Sequence, residues 1–126
     1  MPKILLVEDE KILRDAYTIL ITAQSDFVLD VASNGQEALE LCTKNSYDII
    51  LLDLMMPIVD GVGFLEGANL KTTAPHTRVI VMSNLSSGEG LIRAIELGAH
   101  RHAVKSDLSP SEVLAVIKEE LSIAAA

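Results

Sequence analysis

Short apolar runs alternate with amphipathic stretches five times along this chain of 126 residues, and this alternation is what most constrains its fold. Each apolar run is five to seven residues long, the usual length of a strand, and each following stretch carries apolar residues at helical spacing. Repeated β-α units of this kind form a parallel sheet with helices on both faces. The predicted strands are 3–7, 27–32, 47–53, 78–83 and 100–105.

The predicted helices begin and end at recognisable signals. Asn34 is followed three residues later by Glu37, and Ser109 by Glu112, the spacing of a capping box. The first helix is predicted over 10–24. The third begins at Gly61 and is weakened by its glycines.

The fourth helix is expected to start at Ser86 and to stop at Gly98, a residue that suits a helix end. Its apolar residues Leu91, Ile92 and Ile95 are all predicted to point inward.

Composition predicts one globular domain over 1–126, because 49% hydrophobic and 22% charged residues can build a core and keep it in water. A net charge of −8 argues against direct binding of nucleic acid or of an anionic membrane surface. The start lacks the long apolar region of a signal peptide, so we expect a cytoplasmic protein. Cys42 cannot form an internal disulfide and is expected to be a core thiol.

Polar side chains stand where the predicted strands end. Glu8 and Asp9 follow the first strand, while Asp53, Ser83 and Lys105 end the third, fourth and fifth. Taken singly, each has an ordinary interpretation as a helix cap, a turn residue or a solvated lysine. Ligands of open α/β sheets bind beyond these strand ends, so the set predicts a site. Crowded carboxylates suit Mg²⁺, and a carboxylate can itself attack phosphorus.

These residues resemble the receiver domain of two-component response regulators along essentially the whole chain. The matching segments are "LLVEDE" with Glu8 and Asp9, "DLMMPIVDG" with Asp53, Pro57 and Gly61, "VIVMSN" with Ser83, and "GAHRHAVKS" with Lys105. The resemblance implies a flavodoxin-like, doubly wound five-stranded parallel sheet in the order 2-1-3-4-5, flanked by five helices.

The resemblance also implies the chemistry. Asp53 is the phosphoacceptor and receives its phosphoryl group from the phosphohistidine of a histidine kinase or phosphotransfer protein. Mg²⁺ is bound by Asp9, Asp53 and the backbone carbonyl of Met55, with Glu8 acting through water. Lys105 pairs with Asp53 or its phosphate.

On phosphorylation, Ser83 is implied to move toward the phosphoryl group. The fourth helix, fifth strand and fifth helix then form the output face, which binds a downstream protein or domain or a second copy of the chain. Such a protein catalyses only its own phosphorylation and dephosphorylation. Since no effector region is recognisable, we expect a receiver that acts through a partner or one cut from a longer regulator.

Three positions depart from the family pattern. His102 stands where the family's switch residue is usually Tyr or Phe, which gives that position a charge that changes with pH. Asn84 replaces a small residue beside the phosphoryl pocket, which Pro57 also borders. Ser106 replaces the proline after Lys105, where a cis bond would cost about 2.5–4 kcal/mol.

Three alternatives stay open. One is a receiver fold that binds partners without being phosphorylated. Another is a Mg²⁺-dependent phosphohydrolase with an Asp nucleophile, although Met55 stands where such enzymes carry a second Asp. The third is a transition-metal site built from His76, His100 and His102.

Overall fold

Five parallel strands form one sheet in the order β2-β1-β3-β4-β5, as expected. The computed structural model describes residues 1–24, 26–84 and 88–125. The strands are β1 Lys3–Val7, β2 Val28–Ala32, β3 Ile49–Asp53, β4 Arg78–Ser83 and β5 Arg101–Val104. The helices are α1 Lys11–Thr22, α2 Gly35–Lys44, α3 Gly61–Ala68, α4 Leu70–Thr73, α5 Glu89–Glu96 and α6 Pro110–Ala125, with a 3-10 turn at Lys105–Asp107.

Side chains of the central strand β3 alternate between two separate cores. Ile49 and Leu51 pack into the core with residues of α1 and α6, whereas Ile50 and Leu52 pack into the one with residues of α2, α3 and α5. All four are at most 1% exposed. A strand covered on both faces needs a continuous apolar run, which is why this segment shows no polar alternation. Burial of each such side chain contributes roughly 1.5–3 kcal/mol before the entropy of ordering is subtracted.

The caps predicted at Asn34 and Ser109 are confirmed, but the reciprocal bond of a capping box is present only at Ser109, because Glu37 accepts from the Ser33 N–H instead. The Glu37 N–H donates to Asn34 Oδ1 over 2.9 Å at the start of α2. At α6, Ser109 and Glu112 exchange two hydrogen bonds, Glu112 N–H to Ser109 Oγ and Ser109 N–H to Glu112 Oε1. The predicted cap Ser86 lies outside the described residues.

The third predicted helix is divided, so the described chain has six helices where five were expected. Asn69 lies between α3 and α4 with φ 47° and ψ 51°, the left-handed conformation. Its N–H bonds the carbonyl of Leu65, which closes α3 before the single turn of α4 begins. Asn tolerates this conformation better than most residues, and that preference was not used in the sequence prediction.

The prediction that Ile92 and Ile95 point inward is wrong. They are 57% and 56% exposed, while Leu91 and Ala94 on the same helix are buried. Helix α5 therefore buries only one narrow stripe, in which the small Ala94 sits against the sheet. A spacing of three or four residues does not fix which of two neighbouring stripes faces the core when both are apolar.

Strands β2, β3 and β5 are each shorter than predicted, and Lys105 begins the 3-10 turn instead of ending β5. The Lys105–Ser106 peptide bond is trans. Cys42 is half-buried against the α2 side of the core, and burial raises the pKa of its thiol to about 11. No helix in the described part of the chain is both long enough and apolar enough to cross a membrane.

Replacing Gly61 by alanine is expected to destabilise the fold by roughly 1–3 kcal/mol. A Cβ there would lie 2.6 Å from the Asp53 carbonyl oxygen and 2.7 Å from Leu54 Cα, both backbone atoms that cannot move cheaply. Urea unfolding followed by circular dichroism measures the change.

The matched control is Gly90→Ala within α5, where a Cβ meets nothing within 4 Å. That variant is expected to gain about 0.5–1 kcal/mol, because alanine is the better helix former. Equal effects at both glycines would contradict the close-approach explanation.

Candidate functional site

The sheet register brings the first acidic pair beside Asp53. Val7 pairs with Leu52, so the residues that follow β1 emerge next to the end of β3. Glu8, Asp9 and Asp53 each place a carboxylate oxygen within 4.8 Å of the others. The expected convergence of Asp9 and Asp53 is thus present, and Glu8 joins it.

Lys105 bridges two of these carboxylates. Its Nζ lies 2.6 Å from Glu8 Oε1 and 3.2 Å from Asp53 Oδ2. The side chains of Lys105, Glu8 and Asp53 are only 10%, 2% and 7% exposed. A buried carboxylate is costly unless a cation compensates it, so each of these charges depends on the others.

The balance of charge appears in the pKa values. Burial, followed by the charge of Glu8, raises the pKa of Asp53 to about 7, although Lys105 and the Met55 N–H act in the opposite direction. For Lys105, burial alone lowers the pKa, but the Glu8 hydrogen bond and the Asp53 charge outweigh it and leave the pKa above its ordinary value. One lysine therefore does not fully neutralise the acids, and the site favours a further positive charge.

A pocket of about 230 Å³ opens above this cluster. It is lined by Asp9, Glu10, Asp53, Met55, Ser83, Asn84 and Lys105. Ser83 is 1% exposed and lies at the floor of the pocket, whereas the next residue, Asn84, is exposed and lies at its rim. Pro57, which was expected to border the pocket, is not among the residues that line it.

Backbone hydrogen bonds hold the loop after Asp53. The Met55 N–H donates to Asp53 Oδ1 over 3.2 Å, and the Gly61 N–H closes the loop onto the Leu54 carbonyl over 3.1 Å. Ile58 has φ 69° and is 81% exposed, a rare conformation for a β-branched residue. Its side chain is thus directed to solvent without disturbing Asp53.

The donor set fits Mg²⁺. Mg²⁺ takes one or two carboxylates directly and otherwise keeps its water. Three carboxylate oxygens within 4.8 Å of one another, with a pocket beside them, can supply such direct ligands and leave room for the water. Sulfur and imidazole ligands, which softer metals prefer, are absent from this described cluster.

His102 is half-buried on β5, and its Nε2 is buried with no hydrogen-bond partner in the described part of the chain. His100 differs, since its Nδ1 accepts from the Val79 N–H over 3.0 Å. His76 pairs with Ser46 Oγ over 2.8 Å. The histidines thus form no joint metal site within the described residues.

Two residues of the site region were not singled out from the sequence. Glu10 lines the pocket, and its N–H donates to Glu8 Oε2 over 3.2 Å. Arg14 on α1 donates to the carbonyls of Glu8 and Asp9. An arginine in an amphipathic helix gives no signal that separates such a contact from solvent exposure, so the pattern could not have shown it.

Comparison with known proteins decides the family. Residues 4–118 match the model of the response regulator receiver domain. The chain belongs to this family.

Curated and solved relatives agree. This receiver domain is 34% identical over 119 residues to the transcriptional regulatory protein HprR of Escherichia coli, covering 94% of this chain and 51% of that protein. It is 30% identical to the receiver domain of the Francisella response regulator 1452, with a TM-score of 0.81 and coverage of 97% and 98%. A CheY-like receiver from Methanospirillum hungatei shows the same fold at 22% identity, with a TM-score of 0.88 and coverage of 99% and 97%. The chain spans about half the length of HprR.

Asp53→Asn is expected to stabilise the metal-free protein, and by an amount that depends on pH. Because the folded pKa is about 7 and the ordinary value is 3.8, the folded state binds more protons than the unfolded one between these values. Stability of the wild type therefore falls as pH rises through this window. The advantage of the variant should be small at pH 4 and reach roughly 2 kcal/mol at pH 8.

Thermal or urea unfolding at several pH values, without divalent cations, measures this difference. The control is Asp60→Asn, because Asp60 is an exposed cap of α3 and asparagine caps equally well. A gain of stability that does not change with pH would contradict the proposed charge crowding.

Proposed function

We propose that this receiver domain is a phosphoacceptor in two-component signalling, with Asp53 as the residue phosphorylated. The observation that carries the proposal is the meeting of the Glu8, Asp9 and Asp53 carboxylates, two of which, Glu8 and Asp53, pair with the largely buried ammonium of Lys105. The donor in this proposal is a histidine kinase or a phosphotransfer protein, and the site works in the cytoplasm.

In the proposed reaction, an Asp53 oxygen attacks the phosphorus of a phosphohistidine. The P–N bond breaks, its electron pair stays on the imidazole nitrogen, and an acyl phosphate forms on Asp53. The carboxylate must be ionised to attack, so a pKa near 7 makes the metal-free site a poor nucleophile at acidic pH.

Bound Mg²⁺ would supply the positive charge that neutralises the carboxylates and the incoming phosphoryl oxygens. Asp9, Asp53 and the Met55 carbonyl are its proposed ligands, with Glu8 acting through water. Lys105 then has a second task, because its ammonium can pass from Glu8 to a phosphoryl oxygen. Ser83, on the pocket floor, is the proposed hydroxyl donor to that group.

Asn84 is proposed to affect how long the acyl phosphate survives. Its side chain is exposed at the pocket rim, in the space from which water must approach the phosphorus. Self-dephosphorylation by such a water completes the cycle, so the domain acts on no substrate other than itself. Pro57 in this proposal limits the shape of the loop and does not touch the phosphoryl group.

The proposed output face consists of α5, β5 and α6, and its occupant is a downstream protein or domain or a second copy of the chain. The exposed side chains of Ile92 and Ile95 support it, because more than half of each apolar side chain lies open to solvent. A net charge of −8 favours a protein partner over nucleic acid.

Incubation with acetyl phosphate and Mg²⁺ is expected to add one phosphoryl group to the wild type, measured by intact-protein mass spectrometry. Asp53→Asn should gain none, since an amide cannot form the acyl phosphate, while Asp60→Asn should react as the wild type does. A wild type that gains no phosphoryl group would favour the binding-module alternative, and an adduct that persists in Asp53→Asn would place the acceptor elsewhere.

His102 is expected to change rotamer on activation. Its buried Nε2 has no hydrogen-bond partner among the described residues, which costs about 1–3 kcal/mol and favours a second position in which this atom finds a partner or water. Imidazole NMR spectra with and without Mg²⁺ and beryllofluoride, a phosphoryl mimic, follow the ring. The His100 signals serve as the internal control, because that ring is tied to the Val79 N–H. An unshifted His102 ring in the activated form would exclude the switch role.

A further inference from the structure

Arg14 holds the loop that carries the first two acids. It lies on the first turns of α1, half-buried, and its Nη1 donates to the carbonyl of Glu8 over 3.0 Å and to that of Asp9 over 3.2 Å. One nitrogen thus binds two successive carbonyls. Arg14 has no contact with a carboxylate of the site in the described chain, so it acts on the backbone.

These two carbonyls define the conformation of Asp9. The Glu8 carbonyl belongs to the rigid peptide plane before the Asp9 Cα, and the Asp9 carbonyl to the plane after it. Fixing both planes against one guanidinium restricts both φ and ψ of Asp9. The backbone held in this way sets the direction of the Asp9 Cα–Cβ bond and limits the rotamers that its carboxylate can adopt.

Asp9 needs such support more than its neighbours do. Glu8 is held by Lys105 and by the Glu10 N–H, and Asp53 by Lys105 and the Met55 N–H. Among the described residues, the Asp9 carboxylate has neither a hydrogen bond nor an ion pair. The capping residue of α1, Glu10, makes no side-chain cap hydrogen bond, so the helix start gives the loop no other anchor of that kind.

We propose that Arg14 is a positioning residue for magnesium binding: it sets the backbone of Asp9 so that a carboxylate with no partner among the described residues is aimed at the metal pocket. The proposal rests on the function proposed for this site. Arg14 touches neither the metal nor the phosphoryl group and works through the loop.

A competing explanation is that Arg14 acts only by its charge near a cluster of acids. Lys11 separates the two, because it lies on the same helix start and carries the same charge, yet its side chain is 78% exposed and its Nζ binds Asp15. Arg14→Met removes the charge and the hydrogen bonds to the loop, and Arg14→Lys keeps the charge but loses the planar donor group. Lys11→Met removes a charge and the exposed pair with Asp15, but no hydrogen bond to the loop.

The experiment is a titration with MgCl₂, followed by amide NMR shifts of the loop, in low salt and in about 1 M NaCl, where the Debye length is about 3 Å. No phosphodonor is present. We expect the Mg²⁺ dissociation constant to rise about tenfold for Arg14→Met and about threefold for Arg14→Lys at both salt concentrations, and less than about 1.5-fold for Lys11→Met. Circular dichroism confirms that each sample is folded.

Opposite results would overturn the proposal. If charge alone acts, Arg14→Lys binds Mg²⁺ as the wild type does, and the losses in Arg14→Met and Lys11→Met are alike and disappear in high salt. If Arg14→Met does not fold, Arg14→Lys decides by itself, since only a geometric role weakens it. The two proposals can fail separately. If the Mg²⁺ dissociation constants of the variants differ as expected but the wild type takes no phosphoryl group from acetyl phosphate, the proposed function is refuted and the role of Arg14 stands. If the wild type shows no saturable Mg²⁺ binding, both are refuted.

Discussion

Repulsion among buried carboxylates is the constraint around which this domain is arranged. Glu8 and Asp53 are almost completely buried, and Asp9 lies beside them. One ammonium, 2.6 Å from Glu8 and 3.2 Å from Asp53, makes this arrangement tolerable without making it neutral. Burial first, and the charge of Glu8 second, still raise the pKa of Asp53 to about 7 in spite of that ammonium. A fold that keeps such a site ready for a cation sacrifices stability at the place where it needs reactivity, as functional sites often do.

The sheet makes that arrangement possible because it fixes backbone positions from several directions at once. The charged groups come from the ends of three strands, Glu8 and Asp9 from β1, Asp53 from β3 and Lys105 from β5, and parallel register between β1 and β3 sets the spacing of the acids. The strands themselves are held by two apolar cores that lie on opposite faces. A side chain at a strand end inherits this rigidity, whereas a side chain on a loop must be oriented by separate contacts. Asp9 and its dependence on Arg14 illustrate the second case.

Most of the fold, and the residues of the candidate site, could be predicted from the sequence. The spacing of apolar residues indicates the helices and strands, and a position at a strand end indicates the candidate site residues. Alternation predicted the five strands, the family resemblance implied their order, and the caps at Asn34 and Ser109 predicted two helix starts. What failed depended on information that local patterns do not contain. Ile92 and Ile95 have the spacing of core residues, but the stripe that α5 buries is the neighbouring one, with Leu91 and Ala94. Glu8 and Lys105 pair although they are 97 positions apart in the sequence. The spacing of apolar residues does not predict which of two acids a distant lysine contacts.

In the loop between β3 and α3, backbone hydrogen bonds hold the conformation and two exposed side chains take no part in them. Main-chain bonds anchor it, Gly61 to Leu54 within the loop and Gly35 of α2 to the Val59 carbonyl, and none of these needs a particular side chain at Met55 or Ile58. Those two side chains are 67% and 81% exposed at the approach to Asp53. They can therefore be exchanged during evolution with little effect on Asp53, the proposed acceptor. A duplicated copy of this domain could acquire a different surface for its donor while its phosphoryl chemistry stayed the same, which is a route by which parallel pathways diverge without cross-talk.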